Sequence, residues 1–409
     1  MTCPSCAADL VAARGATSWC PSCEWNLNLF EPQRRRPEIG WRWADRATHR
    51  IAWRLTTGQF AALVGGPIER RRWSPARAVT MTVAVLLLAF VAACAVAGVW
   101  LILYDFPRFT ILPGVALLGV AIVCRPRFGG HPDLHVLNRD DAPELFALID
   151  RVAALAGAPV PHIVGVDESL GAYTSAVGWR RRRLLCIGAP LWAALDPQER
   201  VALLGHELGH FVNGDLRRAP LESMALSTLG RLAYLTQPGE SGVNGFVDML
   251  VGAVQWVLSR LFTGLHLLIV WIGQRDAQRA EYLADEIGAR AAGSAAAVRL
   301  EDVLLMQDAL ETVILRESRA KRGGAHWAEA ARVARANLAP TVPVLRQLSR
   351  RDEVSLFASH PPSGLRALML ERRPQHAAGV VLTEQQSERI DAELAGPVEQ
   401  IRRELASAY

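Results

Sequence analysis

A chain of 409 residues, 51 % of them hydrophobic, is long enough for more than one domain and a sizeable core, and no repeats or low-complexity tracts interrupt it. The formal net charge of +5 is carried almost wholly by Arg, with Lys321 the only lysine; it suits an anionic membrane surface as well as it suits nucleic acid and selects neither. Of the 7 Cys, four fall within the first 23 residues and no cleavable signal peptide opens the sequence, so the thiols are expected in a reducing compartment, as metal ligands rather than disulfides.

Residues 1–30 hold two matched knuckles, Cys3-Pro-Ser-Cys6 and Cys20-Pro-Ser-Cys23. Each bends two thiolates toward one ion, and four complete a closed tetrahedral zinc site. A redox dithiol is the alternative, but a segment too small for its own core favours a structural zinc ribbon. The ribbon has almost no basic residues, which argues against nucleic acid; its partner is not readable. Residues 31–77 form a basic linker with Arg34-Arg35-Arg36, Trp41, Trp43, Trp53 and Arg70-Arg71-Arg72-Trp73. Arg with Trp suits contact with membrane lipid at the interface, and equally a solvated linker with some buried Trp.

Ala78 to Tyr104 is 27 residues without a charge, longer as a helix than the roughly 30 Å hydrocarbon core, and is read as transmembrane. Phe109 to Cys124 adds 16 uncharged residues, about 24 Å of helix, so 78–125 reads as a transmembrane hairpin, with a re-entrant segment as the alternative. Arg70, Arg71, Arg72 and Arg77 precede the pair, Arg125 and Arg127 follow it, and the turn holds only Arg108. The positive-inside rule then puts both tails, and with them the ribbon and residues 130–409, in the cytoplasm.

Asp141 to Ala156 has helical periodicity; His162 to Val166, Ala172 to Gly178 and Leu184 to Gly188 read as strands, the last two a hairpin with a basic tip at Arg180 to Arg183. Four like charges there are most simply a solvated turn. Asp196-Pro197-Gln198-Glu199 is a helix-start signal and Asn213-Gly214 a stop. Between them lies His206-Glu207-x-x-His210. Two His at i and i+4 leave one helix face together and can hold one metal ion, and the Glu between them reaches a water on that metal as its base. Val201, Leu204, Leu208 and Phe211 share the other side, so the ligand face is expected to lie away from the core.

Phe246 to Ile272 is apolar but carries Asp248, Gln255, Ser259 and His266 within about 20° of one helical line. It is either an intramembrane helix lining a chamber or an amphipathic helix on the domain surface. Glu281 and Asp285, again i and i+4, supply what two His lack: Glu281 as third ligand, and Asp285 one turn on to accept the free N–H of a ligand His. From about Ala295 the chain is helical and polar, broken by Ser359-His360-Pro361-Pro362 with Arg366 beyond. His360, stiffened by the following prolines, is a candidate oxyanion donor, or else a plain turn histidine.

His-Glu-x-x-His, then Glu281-x-x-Ala-Asp285, then Ser-His-Pro with a following Arg, resembles the HtpX-like and CAAX-prenyl-endopeptidase-like integral membrane gluzincins, over about Asp141 to Arg373. The resemblance implies His206, His210 and Glu281 as zinc ligands, Glu207 as base, Asp285 behind the ligands, and His360 and Arg366 as active-site supports. Gly171-Ala172-Tyr173 stands where that family often has Asn-Ala-aromatic, and the ribbon is outside the family pattern. The fold expected is a mainly α membrane protein with a zincin-like α+β unit, a small edge sheet and the ribbon. The function expected is a membrane zinc endopeptidase of the inner membrane, with one catalytic and one structural zinc, binding polypeptide along Ala172, Tyr173 and Thr174 by strand addition. The rivals are a non-catalytic adaptor built on a protease-like scaffold and a soluble zinc peptidase.

Overall fold

The computed structural model describes residues 1–13, 15–35, 37–68, 74–104, 109–125, 134–178, 180–214, 226–238, 245–358 and 360–407. Arg36, Arg70 to Trp73, Asp105 to Arg108, Arg127 and Ser359, all used in the sequence reading, lie outside them. The chain divides into two compact units: residues 1–70, 130–216 and 277–409, and residues 71–129 and 217–276.

In the first unit the two cysteine knuckles are followed by α1 (Arg42–Val64), inside the stretch expected as a linker. Ala44, Thr48, Ala52, Leu55 and Leu63 repeat at helical spacing and are buried, which is why this segment packs rather than connects. In the second unit, α2 (Pro75–Tyr104) and α3 (Ile111–Cys124) form a helical pair. They cross where side chains are absent: a Cβ on Gly98 would lie 2.9 Å from the Gly114 carbonyl oxygen, and one on Gly114 would lie 2.9 Å from that of Gly98. Phe90, Trp100, Leu103, Leu112 and Ile122 face outward, an arrangement stable in lipid and not in water.

The sheet belongs to the first unit. β1 (His135–Leu137) is followed by α4 (Pro143–Ala156), then β2 (Ile163–Asp167), β3 (Ala172–Val177) and β4 (Arg182–Gly188). The strand order is β1-β2-β4-β3; β2 and β4 are parallel and the outer pairings antiparallel. β3 is therefore an edge, with Ala172, Tyr173 and Thr174 opposite Ile187, Cys186 and Leu185. The hairpin was expected; β1, three residues long, carried no readable alternation. Next come α5 (Ala189–Ala194) and α6 (Pro197–Asn213). The start signal folds as read, with the Asp196 N–H donating to Glu199 Oε2 at 2.9 Å, and Gly214 ends the helix with φ 76°.

A short helix over 226–235, α7, precedes α8 (Phe246–Ala292), which runs on through the residues expected as two separate pieces. Its apolar first part belongs to the second unit. α2 and α8 are long and apolar enough to cross a membrane; α3 is shorter. Two residues of the polar stripe on α8 face protein: Ser259 donates to the Ala233 carbonyl at 2.9 Å and His266 Nδ1 lies 3.2 Å from that of Leu226, both carbonyls on α7, whereas Asp248 is exposed.

The remaining helices complete the first unit: α9 (Ser294–Leu304), α10 (Gln307–Arg319), α11 (Gly324–Leu338), α12 (Val342–Asp352), α13 (Ser363–Arg372), α14 (Glu384–Glu393) and α15 (Ala395–Ser407). They are not merely polar. Leu300, Leu310, Ile314, Trp327, Ile390 and Ile401 are buried in one core with Leu145, Ile149, Leu185, Val201 and Leu204, each amphipathic helix turning one stripe inward.

Candidate metal centre

α6 and the C-terminal part of α8 bring the ligands together by crossing at glycine. A Cβ on Gly205 would lie 2.8 Å from Gly288 Cα, and one on Gly209 would lie 2.9 Å from Ala284 Cα. The expectation that the ligand face lies away from the core is corrected here: His206 and Glu207 are buried, because that face packs against α8 through backbone rather than through large side chains.

At the crossing His206 Nε2 lies 3.2 Å from His210 Nε2 and 3.6 Å from Glu281 Oε2, and His210 Nε2 lies 3.7 Å from Glu281 Oε1. Donors about 2.05 Å from a zinc ion subtend tetrahedral edges of about 3.3 Å, so two imidazoles and a carboxylate at these separations fit one ion. His206 Nδ1–H donates to Asp285 Oδ1 at 2.9 Å, which leaves its Nε2 lone pair toward the shared point. Arg366 Nε donates to Asp285 Oδ2 at 2.9 Å, and its Nη2 bonds Asp285 Oδ1 and lies 2.9 Å from Glu301 Oε1. Burial alone would raise the Asp285 carboxyl; the Arg366 guanidinium and the His206 hydrogen bond hold it far below the usual range instead. Glu301 goes the other way, pushed well up by burial despite Arg366.

His360 Nδ1–H donates to Glu281 Oε2 at 2.5 Å, with the His360 side chain 53 % exposed. Burial would raise Glu281, but that hydrogen bond and the neighbouring imidazoles bring its carboxyl down to about 2. Glu207 differs from every other acid of the cluster. It is 6 % exposed and has no hydrogen-bond or ion-pair partner among the described residues. Ala172, Tyr173 and Thr174 lie on β3, which packs beside α6. Glu301 was missed; its signal is a carboxylate on the same face of α9 as Ala297, Leu300 and Leu304.

The second cluster is the four N-terminal thiols. Cys3 Sγ lies 3.6 Å from Cys23 Sγ and Cys6 Sγ 3.4 Å from Cys20 Sγ, and all four lie within 4.8 Å of one another. Tetrahedral Zn–S bonds of about 2.3 Å give edges of about 3.8 Å, so this set also fits one ion. The Cys23 backbone N–H lowers the Cys20 thiol to about 6 against the opposing effect of burial. At Cys23 the Trp25 backbone N–H also acts downward, but burial and the neighbouring thiols push the thiol up to about 12, so the four thiols do not shift together.

Two His one turn apart on one helix, a Glu from a second helix and an unpaired buried Glu between the His place the protein in the class of His-Glu-x-x-His metalloproteins. More particularly, the chain belongs to peptidase family M48, whose profile matches residues 139–373, more than half of the sequence. It is similar to Protease HtpX of Pseudomonas putida (strain W619), 28 % identical over 167 residues, 38 % of this chain and 53 % of that protein. It is also similar to the Protease HtpX homolog of Desulfotalea psychrophila, 29 % identical over 193 residues, 44 % of this chain and 66 % of that protein. The chain thus spans between about half and two thirds of the length of these curated relatives. No solved structure matches it. The family agrees with the resemblance carried by the three motifs, and the ribbon lies outside the matched residues.

Proposed function

We propose that the protein is a zinc-dependent endopeptidase of the inner membrane, with a zincin-like catalytic unit, that hydrolyses peptide bonds of unfolded or membrane-associated polypeptides. The observation that carries this reading is Glu207. Its carboxylate has no partner among the described residues, which leaves it free to take a water, and it lies within the turn that joins two ligand histidines. When bound by His206, His210 and Glu281, zinc supplies Lewis-acid polarisation of a scissile carbonyl. Glu207 accepts the proton of the attacking water and returns it to the leaving amine. Asp285, gripped by Arg366, holds His206 in the tautomer that presents Nε2. His360 keeps Glu281 in place through Nδ1–H and is the candidate donor to the developing oxyanion. A substrate strand adds to the free edge of β3 at Ala172, Tyr173 and Thr174, main chain to main chain.

The membrane reading rests on α2 and on the apolar part of α8, with α3 closing the hairpin, and on the Arg flanks, of which Arg77 and Arg125 are described. It places the ribbon and the catalytic unit in the cytoplasm. α1 adds support for contact with lipid. Arg42, Arg46, Arg50 and Arg54, spaced i, i+4, are exposed and have no ion-pair partner among the described residues; Trp41 and Trp43 stack beside them with ring centroids 5.9 Å apart. A structural zinc in the Cys3, Cys6, Cys20 and Cys23 site completes the cofactor set. The adaptor reading has no observation in its favour, since the ligand set, Glu207 and both supports are present. The test is casein hydrolysis by the full-length protein in detergent, wild type against Glu207→Gln. The variant should keep its zinc and its melting temperature and lose turnover. Retained turnover would show that another group is the base and sink the assignment.

A further inference from the structure

We propose that the Cys3–Cys6–Cys20–Cys23 ribbon is a positioning element for the peptidase site, gripping α12 through Arg351 so that the segment and helix after α12 hold His360 and Arg366 against the metal ligands. The inference rests on the endopeptidase reading of that site, and deepens it.

The grip is built from one face of α12. Gln347, Arg350 and Arg351, at i, i+3 and i+4, all meet the ribbon. Arg351 is 1 % exposed, and donates to the carbonyls of Thr17 at 2.7 Å, Asn26 at 2.6 Å and Leu27 at 3.2 Å, with Glu31 Oε2 at 3.4 Å. Its guanidinium lies 4.8 Å from the centroid of the buried Trp19 ring. Trp19 Nε1–H donates to Gln347 Oε1 at 2.8 Å, Gln347 Nε2 donates to the Pro21 carbonyl at 2.9 Å, and Arg350 forks onto Glu24 at 2.6 and 2.9 Å. A fully buried Arg is stable only if every donor finds an acceptor, and three of these acceptors are backbone carbonyls of the ribbon.

Two of those carbonyls, of Asn26 and Leu27, follow directly on the second knuckle. The Glu24 N–H donates to the Cys20 carbonyl and the Leu27 N–H to the Glu24 carbonyl, while Glu24 and Asn26 hold positive φ of 58° and 66°. Two non-glycine residues in the left-handed region so close together need something to hold them there, and Cys20 and Cys23 closing on a common ion is the evident constraint. Just beyond the ribbon, Arg34 pairs with Asp352 at 2.5 Å, and Arg35 donates to the carbonyls of Asp352, at 2.9 Å, and Val354.

From α12 the connection reaches the site in two ways. The Gly364 N–H donates to Ser349 Oγ at 3.0 Å and the Ser363 N–H to Glu353 Oε2 at 3.0 Å; a Cβ on Gly364 would lie 1.9 Å from the Arg346 carbonyl oxygen, so α13 starts flush against α12. α13 carries Arg366, which grips Asp285, and the segment between the two helices carries His360, which bonds Glu281. Both supports of the ligand set thus hang from the helix that the ribbon holds.

The test uses the full-length protein, with Arg351→Met, which keeps bulk and removes the donors. It should retain two zinc ions per chain, yet show faster amide hydrogen exchange over 353–362 with α6 unchanged. kcat should fall by roughly 10²-fold, the scale of a small misplacement remote from the chemistry, with KM little altered. Cys3→Ser/Cys6→Ser should give the same exchange pattern with one zinc retained. Wild-type exchange or wild-type kcat in Arg351→Met overturns the proposal, and so does faster exchange throughout α6, which makes the contact a general prop of the unit. If Arg351→Met does not fold, Gln347→Leu with Arg350→Ala cuts the rim of the same contact and decides by the same readouts. Exchange does not depend on catalysis, so an inactive wild type would refute the endopeptidase reading while this arm still decides the positioning role.

Discussion

Gly209→Ala puts a single methyl group at the place where the ligand helices cross. Its Cβ would meet Ala284 Cα at 2.9 Å and Ala284 Cβ at 3.2 Å, where ordinary contact is 3.4–4 Å. Neither neighbour is the end of a flexible side chain, so α6 and α8 have to part by about half an ångström or more. Glu281 lies less than one helical turn from Ala284 and moves with it. Metal–ligand distances tolerate about ±0.2 Å, so the three donors no longer close on one ion without strain. Overpacking of this kind costs about 1–3 kcal/mol of stability. Zinc affinity should fall roughly 10- to 100-fold, comparable with loss of a supporting hydrogen bond. Zinc Kd is measured by competition with a chromophoric chelator, and stability by thermal melting. Gly58→Ala on α1, where an added Cβ meets nothing within 4 Å, is the control; it should leave zinc affinity unchanged and raise stability by about 0.5–1 kcal/mol, the gain of Ala over Gly inside a helix. Wild-type zinc affinity in Gly209→Ala would refute the idea that close glycine packing sets the ligand geometry.

Elemental analysis should find two zinc ions per chain, falling to about one in Cys3→Ser/Cys6→Ser; one in the wild type, unmoved by that change, would rule out the ribbon site. His360→Ala should lower kcat by roughly 10²- to 10³-fold, as loss of an oxyanion donor does, and should weaken zinc binding as well, because Glu281 loses its 2.5 Å hydrogen bond; an unchanged kcat leaves His360 a plain turn residue. A pH effect is expected at Glu286. Burial alone would raise its carboxyl, but the hydrogen bonds from Arg373 and His376 depress it. Its stabilisation is thus fully present above the ordinary carboxylate pKa of about 4.3 and is lost as pH falls through the lower folded value. The melting-temperature gap between wild type and Glu286→Gln should shrink as pH is taken from 7 toward 3, and a gap independent of pH would refute the linkage.

What the sequence by itself determined lies within a helical turn or two. His206 and His210 share a face because four residues advance a helix by little more than one turn, and Asp196, Pro197 and Gly214 bound that helix by their own backbone chemistry. Cys3-x-x-Cys6 and Cys20-x-x-Cys23 declare their ligands in the same local way, and so does the uncharged run that became α2. Only the tertiary structure decided which face of α6 meets α8: Gly205 and Gly209 are silent in a hydrophobic pattern, and their value lies in side chains that are not there. It decided that Glu301 answers Arg366, since nothing local pairs residues so far apart in the chain. It also turned two expected segments into one α8, since Gly273 alone does not break a helix held by long-range packing. And it set the ribbon on α12, because Arg351 reads as one more surface cation until the carbonyls of Thr17, Asn26 and Leu27, more than three hundred residues away, converge on its guanidinium.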